Sequence, residues 1–125
     1  MASWNDVERL ASEISGCRLE GLAPARKVRC TGQDLAWERP YTKADIKREA
    51  AAGQEIYPGD ILAFHTMDVD IARAYVEMEP AKYFRTQHFG SYPAVLCRLE
   101  TLTDDDLREL LFEAHAHLVT DRGLG

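Results

Sequence analysis

The sequence predicts an α+β domain, a two-layer fold with helices packed on one face of an antiparallel sheet. Three observations carry that expectation. Several short segments alternate apolar and polar residues with the period of a half-buried strand. Others carry apolar residues at helical spacing behind capping residues. The strands cluster and the helices flank them, the pattern of a sheet covered by a helical layer. The 125 residues suffice for one core and fall short of two. With no internal repeat or low-complexity tract, residues 1–125 read as a single domain.

Val7, Leu10, Ala11 and Ile14 recur at i, i+3, i+4, i+7, which predicts a helix over 4–15 capped by Ser3 with Asp6 and stopped at Gly16. Residues 17–20 read as a short strand. Residues 27–30 and 35–39 flank a polar link containing Gly32, a hairpin signal. On its first strand Val28 and Cys30 share one face, and Lys27 and Arg29 share the other. On its second, Leu35 and Trp37 are expected to share a face, and Pro40 ends the strand. Residues 42–52 predict a short helix capped by Thr42 and Asp45, with Ile46 and Ala50 as a thin apolar stripe. Residues 60–66 form an apolar strand in a covered position. Asp68 caps a helix that ends before Pro80, with Ile71, Ala72, Tyr75, Val76 and Met78 toward the core. Residues 82–92 form an aromatic loop, in which Phe84 and Phe89 are expected to pack under the sheet. Residues 94–100 form the last strand. Thr103 caps the strongest helix, 103–119, where Asp106 sits at the capping-box position and Leu107, Leu110, Leu111, Ala114 and Leu118 make the stripe. The tail at 123–125 is expected to fray.

Nearly half of the chain is apolar and 9% aromatic, the composition of a soluble globular protein. No apolar run approaches the ~20 residues of a membrane helix. The first residues are acidic and amphipathic, unlike a secretory signal, so a cytoplasmic location is expected. Cys17, Cys30 and Cys97 are an odd, widely spaced set without a CxxC pair, and reduced thiols are expected. The net charge of −6 argues against strong nucleic-acid binding, which draws on a basic footprint. Residues 26–48 nevertheless hold seven Lys/Arg against Asp34, Glu38 and Asp45, a modest local basic face.

Candidate chemistry is sparse. His115 and His117 are two apart on a helix and point to different faces, so they do not form the i, i+4 pair of a metal site. His65 at a strand end reads as structural. Cys30 and Cys97 sit in alternating strands and read as inert thiols. The Asp104–Asp106 run is explained by helix capping. No nucleophile elbow, phosphate loop, dinucleotide fingerprint or HExxH is present. No catalytic residue, metal or cofactor is therefore assigned. The basic hairpin admits two readings, a binding face in which Trp37 or Tyr41 stacks on a ring, and an edge guarded by charge. His88, in a polar aromatic loop, either binds a ligand or ties the loop to the sheet.

Residues 83–119 contain an aromatic turn, a glycine, a strand and a capped amphipathic helix in that order. Together with Trp4-Asn5-Asp6-Val7, Ala36-Trp37-Glu38-Arg39-Pro40 and Lys43-Ala44-Asp45, this pattern resembles the MmcQ/YjbR family over most of the chain. The resemblance implies a two-layer fold akin to secretion chaperones and frataxin-like proteins, described as a double wing, with residues 42–52 lengthening the wing. It implies a DNA-binding label and makes His88 the histidine of a recurring His-aromatic pair. A fold does not fix a function. The leading expectation is a non-enzymatic protein that binds nucleic acid weakly and without sequence preference through Arg29, Trp37, Arg39, Lys43, Arg85 and His88. The alternative is a small-molecule module, drug sequestration being one version that the resemblance suggests, or a protein-binding module. Either would use a pocket between the loop at 83–92 and the sheet.

Overall fold

The structure, a computed structural model, describes residues 2–122, with side chains at all of these except 87 and 119–122. The expected fraying of residues 123–125 lies outside the described residues. The order of elements is α1 (Trp4–Ala11), β1 (Cys17–Glu20), β2 (Lys27–Cys30), β3 (Gln33–Glu38), α2 (Lys43–Ala51), β4 (Ile61–His65), α3 (Val69–Met78), β5 (Tyr83–Phe84), β6 (Ala94–Arg98) and α4 (Asp104–Arg122). Short 3-10 turns occupy Gln87–Phe89 and Leu99–Thr101. The strands form one six-stranded sheet in the order β1-β2-β3-β4-β6-β5, with every neighbouring pair antiparallel. The fold is α+β, as the alternating and helical periods predict.

Each helix starts where a short polar side chain can hold free backbone N–H groups. The Ile71 N–H donates to Asp68 Oδ1 at 2.9 Å. At α4 the Asp106 N–H donates to Thr103 Oγ1 at 3.1 Å, and the Thr103 N–H donates back to Asp106 Oδ2 at 2.9 Å. This reciprocal box, with Lys82 Nζ 2.8 Å from the same carboxylate, accounts for Asp106 without a bound cation.

The main core lies between the sheet and α1, α3 and α4. Val28, Leu62, Phe64, Val95 and Cys97 from the strands meet Val7 and Leu10 of α1, Ala72 of α3, and Leu107, Leu110, Leu111 and Ala114 of α4. β4 and β6 alternate strictly. Ile61, Ala63, Ala94 and Leu96 face the other way and build a second, smaller cluster with Phe89, joined by half-buried Trp37, Tyr41, Tyr57 and Phe84. Phe84 and Phe89 thus pack beneath the sheet as expected. α2 lies against the Gln87–Phe89 turn on this second side.

Four sequence expectations need correction. The first concerns the cysteines, since Cys17 and Cys30 form a disulfide. Antiparallel pairing of β1 with β2 sets them directly opposite each other, with Cα atoms 4.1 Å apart. Strand register makes a pair that spacing alone conceals. Cys97 is free and buried, and burial pushes its thiol pKa up.

The second concerns β3. Thr31 and Gly32 both have positive φ, 48° and 81°, so the hairpin turns on two residues and β3 begins at Gln33. Val28 then opposes Ala36 while Arg29 opposes Asp34, which leaves Leu35 as an extra residue. This bulge sends both Leu35 and Ala36 into the helix-side core and turns Trp37 to the opposite face. Leu35 and Trp37 do not share a face.

The third concerns α2 and α3. Ile46 and Ala50 of α2 are exposed, whereas Asp45 and Glu49 are buried. α2 docks through charge, with Asp45 held by Arg39 and Arg48. On α3, Met78 is 80% exposed and Ile71 is also exposed, because only Ala72, with Tyr75 and Val76 partly buried, reaches the core. The fourth is a boundary. α1 ends at Ala11, and residues 12–16 turn back so that Ile14 still packs against the core.

Candidate functional site

Three helices cover one face of the sheet. The other face, over β2, β3 and β4, carries a shallow trough between the hairpin and the aromatic loop. The bulge in β3 puts Trp37 at its centre. His65, the last residue of β4, shares that face by alternation with Ile61 and Ala63. Its ring lies 4.7 Å from that of Trp37, centroid to centroid. Tyr92 comes next, 5.8 Å from His65, then Phe89 at 6.1 Å from Tyr92, and His88 edge-on to Phe89 at 5.7 Å. Five rings therefore run in an unbroken row, at separations where tilted and edge-to-face contacts are favourable. Tyr92 is 46% exposed and His88 is exposed.

The row depends on Arg85. Its guanidinium donates from Nε to the Ala94 carbonyl at 3.0 Å, from Nη1 to the Gly90 carbonyl at 3.0 Å, and from Nη2 to the Tyr92 carbonyl at 2.6 Å. One side chain thus pins both ends of the turn that presents Phe89 and Tyr92. Arg85 spends its donors on the loop, which makes it a structural support of the site.

Arg39 is also fixed. It is 15% exposed, with Nη1 2.8 Å from Asp45 Oδ2, and it stacks over the Phe89 ring at 5.5 Å. Burial opposes ionisation of Asp45, but the Thr42 N–H and the Arg39 guanidinium outweigh it and hold the carboxyl well below the usual range. Trp37, Arg39, His88, Phe89 and Tyr92 line a depression of about 310 Å³. An adjoining one of about 420 Å³ is lined by Arg29, Asp34, His65, Tyr92 and His117, among others. Burial lowers the pKa of His65, and the nearby His117 adds to the effect, so the ring is neutral near pH 7.

Of the residues expected to bind, Trp37, Arg39 and His88 line one depression, and Arg29 lines the adjoining one, whose far wall is Ala114, His117 and Leu118 of α4. Lys43, at the start of α2, is exposed and is not among the lining residues. The basic hairpin is only partly paired. Lys27 and Arg29 lie 3.4 and 3.3 Å from the Asp34 carboxylate, and Arg26 lies 3.5 Å from Glu38. Sequence reasoning missed His65 and Tyr92 as wall residues. The available signal for His65 was its parity with Ile61 and Ala63 in β4. Among the described residues, no group of three or more His, Cys, Asp or Glu is placed to hold a metal ion.

Comparison with known proteins finds relatives in mycobacteria. The uncharacterized proteins Rv2570 of Mycobacterium tuberculosis and Mb2600 of Mycobacterium bovis are each 40% identical over 114 residues, covering 91% of this chain and 86% of theirs. The chain belongs to the same family as these mycobacterial proteins. A match of that length includes everything from Arg29 to Tyr92, so the family resemblance takes in the sheet and the whole ring row. No protein-family model matches the chain, and no solved structure matches it. No helix among the described residues is long and apolar enough to cross a membrane.

Proposed function

We infer that this protein is a small non-enzymatic binding module whose ligand is a planar small molecule laid against the ring row. The observation that carries this reading is the run Trp37–His65–Tyr92–Phe89–His88 on a sheet face that α1, α3 and α4 leave free. Aromatic walls with a few fixed polar groups, in a depression of several hundred Å³, have the makeup of a small-molecule site. Arg39 and Arg85 are held by protein partners before any ligand arrives, so little ordering is left for binding to supply.

Nucleic acid is the second reading, and the MmcQ/YjbR resemblance is its main support. Exposed rings also suit unstacked bases. The ion pairs of Lys27, Arg29 and Arg26 and the net charge of −6 limit it to weak, salt-sensitive contact. A cytoplasmic home belongs to the same proposal. The Cys17–Cys30 bond weighs against it, because disulfides are rare in that compartment.

The test is an NMR titration of 15N-labelled protein, reading the indole N–H of Trp37. The Trp4 indole, which donates to Asp60 Oδ2 at 3.0 Å outside the trough, is the internal reference. The neutral planar probe 2-naphthylmethanol should move the Trp37 signal and leave Trp4 in place, with little change between low and high salt. An oligothymidylate that moves Trp37 more strongly, and only at low salt, would favour the second reading. A Trp37 signal that no planar probe moves would end the first.

A further inference from the structure

We propose that the trough selects planar ligands carrying an anionic group, an aromatic carboxylate being the simplest form, with the ring on Trp37 and the anion at Lys27 and Arg29. This rests on the reading of the trough as a planar-ligand site and adds the ligand's charge and orientation. Lys27 and Trp37 are direct cross-strand partners, so their side chains rise from the same face about 5 Å apart at the base. A ring seated on Trp37 therefore places a substituent within reach of the lysine ammonium. Arg29 stands two residues along the same strand and on the same face.

The charges at this end do not balance internally. One carboxylate, Asp34, serves both cations, at 3.4 Å from Lys27 and 3.3 Å from Arg29. Neither distance reaches the roughly 2.7–2.9 Å of a charge-assisted hydrogen bond. Asp34 Oδ1 itself, the atom 3.3 Å from Arg29 Nη1, makes no hydrogen bond among the described residues, so the contact with Arg29 is an ion pair without one. The contrast with Arg39 and Asp45, at 2.8 Å, is internal to the molecule. There the pair is closed. At Lys27 the three ammonium donors have, among the described residues, only the loose Asp34 contact. Glu20, the other carboxylate near Arg29, lies 3.9 Å from it and is shared with Arg18 at 3.5 Å. Arg29 also donates from Nη2 to the Gly32 carbonyl at 2.6 Å, so Lys27 is the cation left with charge to be met, and a monoanionic ligand meets it. A cationic ligand would add a third positive charge beside Lys27 and Arg29 and is disfavoured by the same geometry.

The experiment compares three naphthalene probes whose single substituent is anionic, neutral or cationic: 2-naphthoate, 2-naphthylmethanol and 2-naphthylmethylammonium. Each is titrated into labelled protein while the Trp37 indole is followed. The acid should bind about fivefold more tightly than the alcohol, a factor set by a partly exposed ion pair reinforced by hydrogen bonds, and the ammonium more weakly than either. Lys27→Met, which keeps the aliphatic stem, should bring the acid to the affinity of the alcohol, with an otherwise unchanged amide spectrum confirming the fold. Trp37 shifts of equal affinity for acid and alcohol, or a preference for the ammonium, would overturn the charge selection while leaving the planar-ligand reading intact. Full retention of the acid preference in Lys27→Met would likewise overturn it. Silence of Trp37 toward all three probes would instead remove the planar-ligand reading itself, and this inference with it.

Discussion

Replacing Asp45 by asparagine should destabilise the protein by about 2–3 kcal/mol, and the loss should depend on pH in a defined direction. The carboxylate is fully buried and meets three partners: the Thr42 N–H at 2.9 Å, Arg39 at 2.8 Å and Arg48 at 2.7 Å. Asparagine keeps an oxygen for the Thr42 N–H, so the cap is largely preserved. Arg48 is 40% exposed, and its pair contributes only ~0.5 kcal/mol. Arg39 is largely buried, and leaving it without its anion falls between the exposed and fully buried limits, roughly 2 kcal/mol. The carboxyl pKa is lower in the folded chain than its unfolded value of about 3.9. Its charge therefore stabilises the fold fully above that value, and the contribution is lost as pH falls through the folded-state value. Urea melts followed by circular dichroism should show the widest gap between the two proteins at neutral pH. The gap should narrow below about pH 4. A difference under ~0.5 kcal/mol at neutral pH, the range of an ordinary surface change, would refute the claim that α2 is anchored through this carboxylate.

Cys17→Ser with Cys30→Ser should cost about 3 kcal/mol by loop-closure arithmetic for a link of this length, and thiol titration of the unreduced, denatured parent should find Cys97 alone; three reactive thiols would remove the disulfide. Arg85→Ala and His88→Ala should separate support from contact. The first gives up three carbonyl contacts and should lower the melting temperature and weaken probe binding together. The second, at an exposed ring, should weaken binding while changing stability by under ~0.5 kcal/mol. The reverse pattern would show that His88, rather than Arg85, closes the loop.

The elements were largely legible because each carries its own local signal. Thr103 with Asp106, Asp68 before Ile71, and the leucine stripe of α4 needed no knowledge of the rest of the chain. The readings that failed depend on what lies across the sheet. The Cys17–Cys30 bond follows from β1–β2 register, which neither strand states alone. Alternation within β3 assigned Leu35 and Trp37 to one face, and the bulge opposite Val28 and Arg29 separates them. The apolar stripe of α2 was read from Ile46, but the helix docks by its acids, because its neighbour on this side is Arg39 and not a hydrocarbon surface. The trough itself was half visible. Trp37, Arg29, Arg39 and His88 stood out by residue type, while His65 was hidden by its place in an apolar run. Arg85 stands out as a polar residue among the aromatics of the loop, and its role comes from a hydrogen-bond geometry that no spacing encodes.

The bulge in β3 has a consequence for how such a chain can change over time. A strand position ordinarily tolerates substitution more easily than a change of length. Here one change of length is the exception. Arg29 opposes Asp34 and Val28 opposes Ala36, so a chain without Leu35 would alternate simply from Asp34 through Ala36 to Trp37 and keep the indole in the trough. What such a deletion removes is a side chain of the helix-side core. The bulge thus lets β3 give one more residue to the core without moving the binding face, and descendants that lost it would trade stability while keeping the trough.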